Sequence, residues 1–164
     1  MSQKLHPTKI DIPENSRAAL VGILNARLAD AVDLSTQMKQ AHWNVKGPSF
    51  IALHEMFDTI HAEILVHVDD IAERVVALGG TALGTAAVAV ENSALPAYPL
   101  EAKTGSDHVD AVSTALAVFA KGLREAIEAS AEIGDADTED LFTGISRAID
   151  KNLWFVEAHA QAPS

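Results

Sequence analysis

The most constraining stretch of the chain runs from Phe50 to Leu78. It contains no proline or glycine, so it can form one continuous helix of roughly 43 Å at 1.5 Å per residue. Four potential metal ligands lie along it, His54, Asp58, Asp69 and Glu73, at spacings of 4, 11 and 4. At about 100° per residue these steps keep all four side chains on one face, within roughly 100° of arc. One face is still not one site. Asp58 and Asp69 are about 16 Å apart along the axis, far beyond the roughly 2 Å of a metal–ligand bond. One copy of the helix therefore cannot close both pairs on one ion.

A second copy, antiparallel about a two-fold axis, can. Residues i and j then face each other when i + j is constant, and both Asp58 with Asp69 and His54 with Glu73 give 127. A dyad between Glu63 and Ile64 sets His54 and Asp58 of one chain against Asp69 and Glu73 of the other, twice over, as an isologous dimer requires. His42 is a fifth candidate. It lies five residues before Gly47, and His54 lies seven after. A helix–helix turn at Gly47-Pro48 puts both histidines at similar heights on adjacent antiparallel helices. The expected set is His42, His54 and Asp58 from one chain with Asp69 and Glu73 from another. Imidazole and carboxylate together suit iron or manganese, and zinc less specifically.

The run His42-Trp43-Asn44-Val45, Gly47, Leu53-His54 and Asp58 resembles the first signature of the Dps proteins, the twelve-subunit mini-ferritins. Val68-Asp69, Ile71-Ala72-Glu73-Arg74 and Leu78-Gly79 are similar to the second. Each of that family's five ferroxidase ligands has a counterpart here at matching spacing. Weaker resemblance extends over nearly the whole chain, including Asp150-Lys151 and Leu153-Trp154-Phe155. The resemblance implies a cytoplasmic dodecamer that oxidises ferrous iron, preferably with hydrogen peroxide. It implies storage of the ferric oxide or hydroxide inside and relief of oxidative stress on DNA. It also implies that Trp43 supports the site by intercepting oxidising radicals; packing and ligand orientation are its plainer role.

Other metal and catalytic patterns are missing. A ferritin centre within one bundle uses two Glu-x-x-His motifs; here Asp58-Thr59-Ile60-His61 is the single near-echo. Asp58 also stands where the second histidine of a zinc-protease His-Glu-x-x-His would be. No Walker loop, dinucleotide-binding glycine motif or serine-hydrolase elbow is present. His61 and Leu65 fall within about 60° of Asp58. His61 reads as a hydrogen-bonded seam histidine, with an extra ligand or proton acceptor as the alternative. His67 faces the opposite side.

The expected fold is all-α: a ferritin-like four-helix bundle whose single long crossover carries a short helix. At 164 residues the chain is long enough for one domain with a proper core. Residues 1–14 read as a flexible tail, broken by Pro7 and Pro13, and residues 15–164 as the bundle. Asn15 or Ser16 is the expected first N-cap. The first helix carries a core stripe of Leu20, Ile23, Leu24, Leu28, Ala31, Leu34 and Met38, with Arg27 its polar exception. Leu78-Gly79-Gly80 ends the second helix. The link over 80–105 holds a short helix at 86–91, which the resemblance places in the dimer contact. A third helix runs from Ser106 or Asp107 to Ile133 and is stopped by Gly134. A fourth starts at an Asp137 N-cap and turns Leu141, Ile145, Ile149, Leu153 and Val156 inward.

Charge and composition set the remaining bounds. No cysteine means no disulfides, which a reducing cytoplasm allows. The N-terminus lacks the apolar core of a secretory signal, and no apolar run reaches the ~20 residues of a membrane span. A net charge of −11 suits gathering cations and disfavours a nucleic-acid surface on the body. DNA contact would fall to a basic arm bearing Lys4, His6 and Lys9, repeated around a shell. The alternative function is accordingly a DNA-coating architectural shell whose metal site is mainly structural. The acidic run from Glu132 to Asp140 reads as a solvated turn or, at a three-fold axis, as an iron entrance lined by Asp137 and Asp140.

Overall fold

In the computed structural model, which describes residues 5–161, five helices follow one another without strands among the described residues. They are α1 (Glu14–Asn44), α2 (Phe50–Ala77), α3 (Ala86–Asn92), α4 (Gly105–Ile133) and α5 (Ala136–Glu157). The four long helices pack as two hairpins, α1 on α2 and α4 on α5, joined through α1–α4 and α2–α5 contacts. The crossover between α2 and α4 carries α3 along α1. This is the ferritin-like bundle expected from the sequence.

The core is the sum of the helical stripes. Leu20, Leu24, Leu28, Leu34 and Met38 of α1 meet Phe57, Ile60 and Ile64 of α2 and Phe119 of α4, all buried. Ile23 and Ile127 sit at its margin. On α5, Ile145, Ile149 and Val156 are buried as expected, and Phe142 joins them. Phe142 is fully buried, while Leu141 and Leu153 are only partly so. The fourth helix begins at Ala136 with Asp135 as N-cap rather than Asp137. Phe142 lies about 100° around the helix from Leu141 and fills the core with a larger side chain.

The first N-cap also differs. Pro13 occupies it and offers no side-chain acceptor, so neither Asn15 nor Ser16 serves. Proline's fixed φ suits a chain about to enter a helix. The third helix starts on a capping box: Thr104 accepts from the Asp107 amide, and the Asp107 carboxylate accepts from the Thr104 amide. These reciprocal bonds satisfy amides that helix geometry leaves without partners.

The end of α2 is closed twice. The Gly80 amide donates to Val75 and the Gly79 amide to Val76, a Schellman arrangement that needs a left-handed residue at its corner. Gly79 supplies it with φ +87°. The His6 amide donates to the Gly79 carbonyl at 2.7 Å, and a Cβ on Gly79 would lie 2.4 Å from the His6 carbonyl oxygen. Arg17, buried, binds the Leu78 and Ile12 carbonyls. Leu5 and Ile12 pack against the core. From Leu5 onward, the segment read as a tail is thus fastened to the end of α2. Lys4 lies outside the described residues.

The crossover is held to α1 by polar side chains. Asn25 bonds Thr81 and Leu83, Asp30 accepts from the Ala94 amide, and Asp33 accepts from Ser93. Gln37 reaches the Pro96 carbonyl. Asp30 is 2% exposed and pairs with Arg27 at 2.9 Å. Burial raises its carboxyl above the ordinary 3.8, against the lowering effects of the Ala94 bond and Arg27.

Candidate metal centre

The Gly47-Pro48 turn folds α2 back on α1, and the two histidines meet across it. Their rings stack at 3.7 Å between centroids. His42 Nδ1 donates to the His54 carbonyl, and His54 Nδ1 donates to the His42 carbonyl, each at 2.8 Å. A backbone carbonyl can only accept, so both protons sit on Nδ1 and both Nε2 lone pairs are free for a metal. An outward hydrogen bond that fixes tautomer and ring direction is the usual support of a ligating histidine.

One turn along α2, Asp58 lies 2.6 Å from Lys39 Nζ. The hydrogen bond from Lys39 holds the Asp58 carboxyl below 3.8. Lys39 also lies 5.8 Å from the centroid of Trp43, which is 67% exposed. Sequence reasoning missed Lys39. Its position one turn before His42 was the available signal. His61 turns inward to donate from Nδ1 to the Ser35 carbonyl at 2.9 Å. His67 is buried at both ring nitrogens, which make no hydrogen bonds, and burial lowers its pKa from 6.5.

His42, His54 and Asp58 border an open groove of about 950 Å³ that continues along α2 past Thr59 and Glu63 to Val66. Asp69 and Glu73 lie beyond it, exposed on the same helix. Among the described residues of one chain, no three histidine, aspartate or glutamate side chains converge on one ion. The structure therefore joins the two histidines, places Asp58 beside them and leaves the two acids apart.

Exposed apolar side chains mark the same face. Ile51 is 59% exposed, Leu65 47% and Val76 58%. Each lies within about 20° of Asp58 by helical arithmetic. A helix face that bears ligands and bare aliphatic groups together is suited to burial against another surface.

At the α4–α5 corner, Asp135 is not a free acid. Arg74 Nη2 binds both its oxygens at 2.8–2.9 Å, Arg74 Nε binds Thr138, and Thr138 in turn donates to Asp135. Asp137 is 86% exposed, with Arg74 Nη1 3.9 Å away. Asp140 is exposed as well.

An all-α bundle with one crossover and inward-locked histidines beside a carboxylate defines a ferritin-like protein, and the family model described as the ferritin-like domain matches residues 21–163. The DNA protection during starvation protein of Agrobacterium fabrum is 48% identical over 161 residues, covering 98% of this chain and 99% of that one. DpsA14 from Streptomyces coelicolor superposes with a TM-score of 0.93 at 34% identity, over 99% of this chain and 96% of that chain. Mycobacterium smegmatis Dps gives 0.91 at 27% identity, with 96% of both chains covered. The chain belongs to the Dps family.

Proposed function

We propose that the protein is an iron-storing ferroxidase of the Dps kind, with each site built between two copies of the chain. His42, His54 and Asp58 of one copy would take ferrous iron together with Asp69 and Glu73 of another. Imidazole nitrogen with carboxylate oxygen fits iron, and anionic ligands favour the ferric product over the ferrous reactant. Family membership supports the activity. The observation that carries the site is the reciprocal histidine clasp, which fixes both Nε2 lone pairs before any metal arrives. The exposed α2 face adds a second support. Ile51 and Val76 also sum to 127, so the register that aligns the ligands sets two bare aliphatic groups against each other.

In this scheme Lys39 holds a positive charge at Asp58 until ferrous iron, as substrate, displaces it. Hydrogen peroxide is the preferred oxidant and accepts two electrons. Ferric product then hydrolyses and is stored as an oxide or hydroxide core inside a dodecameric shell. Asp137 and Asp140 would draw ferrous ions toward the interior, with Asp135 removed from that role by Arg74. Consuming ferrous iron and peroxide together would protect DNA in the cytoplasm without contact. Among the described residues, no helix is long and apolar enough to cross a membrane. The second reading, a DNA-coating shell, is disfavoured by a charge of −11 per chain and by a segment from Leu5 onward tied to Gly79.

The test is a double substitution of the distant pair. Asp69→Ala with Glu73→Ala should abolish rapid ferrous oxidation by peroxide, followed by ferric absorbance under anaerobic mixing, while the particle stays intact by light scattering. Wild-type rates would end the reading.

A further inference from the structure

Tyr98, the one tyrosine in the chain, sits half-buried on the crossover with its hydroxyl 2.5 Å from His108 Nδ1. The two rings lie 6.1 Å apart between centroids and 25° from parallel. His108, in the first turn of α4, is 1% exposed. Burial pushes the Tyr98 phenol up to about 12. It also holds the His108 imidazole below 6.5, with Asp107 raising it and Lys46 lowering it. Both partners are therefore neutral near pH 7.

The chemistry of the pair sets the tautomer. A phenol is a stronger hydrogen-bond donor than a neutral imidazole N–H, so the Tyr98 hydroxyl donates and the His108 Nδ1 lone pair accepts. The ring proton then sits on Nε2, which is buried without a hydrogen bond, and the Asn44 backbone beside the ring raises its pKa. Asn44 is the last residue of α1 and follows His42 and Trp43 directly. The pair thus abuts the end of α1 that carries the first histidine of the site.

We propose that Tyr98 and His108 form a proton-coupled electron donor that supplies the second electron when peroxide meets a single ferrous ion. The inference rests on the ferroxidase reading above. Reducing one peroxide to two waters takes two electrons and two protons. The ferrous ion gives one electron and becomes ferric; Tyr98 gives the other, and solvent gives both protons. As the Tyr98 O–H bond breaks, its own proton passes to His108 Nδ1. A neutral phenoxyl radical then faces an imidazolium. A second ferrous ion returns the electron, His108 returns the proton, and no hydroxyl radical leaves the site. A phenol in apolar surroundings loses a proton to solvent poorly, so an acceptor already in contact decides whether it can be oxidised.

Two measurements test this on the assembled protein. First, the iron-free particle is oxidised with azide radicals from pulse radiolysis. The phenoxyl absorption that appears can come only from Tyr98 and should be missing in Tyr98→Phe. His108→Gln should slow its formation by about tenfold or more, below the usual contribution of a positioned proton acceptor. In deuterium oxide the wild-type rate should fall, a readout that stands even if His108→Gln does not assemble. No wild-type phenoxyl, or a rate indifferent to both His108→Gln and deuterium, overturns the proposal.

Second, ferrous iron and equimolar peroxide are mixed and frozen rapidly for electron paramagnetic resonance. Phenoxyl signal in the wild type, its loss in Tyr98→Phe and more spin-trapped hydroxyl radical in that variant support the pair. Normal iron oxidation without phenoxyl overturns it. If iron is not oxidised at all, the ferroxidase reading fails and the donor role falls with it, while radiolysis still decides whether Tyr98 passes its proton to His108 on oxidation.

Discussion

At the scale of single residues, the determining fact is how few charges are left free where it matters. Asp135 shows this best. Burial pushes its carboxyl up, but the Thr138 hydroxyl and the Arg74 guanidinium outweigh burial and hold it below 3.8. An acid depressed on folding adds stability above its unfolded value and loses it as pH falls through the folded value. The Asp135 contribution should therefore vanish at pH values below the ordinary carboxylate range. Thermal unfolding followed by circular dichroism should show Asp135→Asn less stable than wild type at pH 7. The loss should be about 3 kcal/mol, the scale of stripping one partner from a buried pair. The two curves should converge toward acid. A parallel offset at every pH would contradict this assignment. The sequence showed Asp135 only as one acid in an acidic run, because Arg74 reaches it across 61 positions. Lys39 was hidden for a similar reason: its partner Asp58 is on the next helix.

At the scale of elements, the sequence was legible wherever one helix face meets one core. The boundaries of α2 and the C-terminal end of α4 follow from glycines that end a helix, and the apolar stripe of α1 is buried as its spacing requires, with Ile23 at its margin. Errors came at starts. The Pro13 and Thr104 caps lie one to three residues before the expected positions, because a cap depends on backbone angles more than on residue preference. Gly79 offers a test at this scale. A side chain there must adopt a left-handed backbone and displace the His6 carbonyl. Gly79→Ala should destabilise the protein by more than about 1 kcal/mol, the backbone cost alone. It should also raise proteolytic cleavage of the first dozen residues, read by mass spectrometry. Cleavage equal to wild type would show that the segment is held elsewhere.

At the scale of the whole molecule, one chain brings His42, His54 and Asp58 together and holds Asp69 and Glu73 apart from them, so the proposed site is a shared one. Shared sites make a prediction that isolated sites cannot. A His54→Ala, Asp58→Ala variant and an Asp69→Ala, Glu73→Ala variant should each be inactive alone. Dissociated, mixed and reassembled at equal amounts, they should recover about a quarter of wild-type ferrous oxidation. Half of random two-fold pairs are then mixed, and each mixed pair restores one of its two sites. No recovery despite co-assembly, verified by native mass spectrometry, would show that the five side chains do not act across two chains. The proposed two-fold register needs only numbers along one helix. Assembly beyond the pair is not encoded in so simple a pattern, and there family membership carries the expectation.

The histidine clasp also has a consequence for how this protein can change over time. Each imidazole is oriented by the main chain of the other, across an interval of 12 residues. Adding or deleting one residue in that connector would slide one ring along its neighbour by about a quarter of a turn, and both would lose their grip at once. The composition of the connector can drift, but its length cannot.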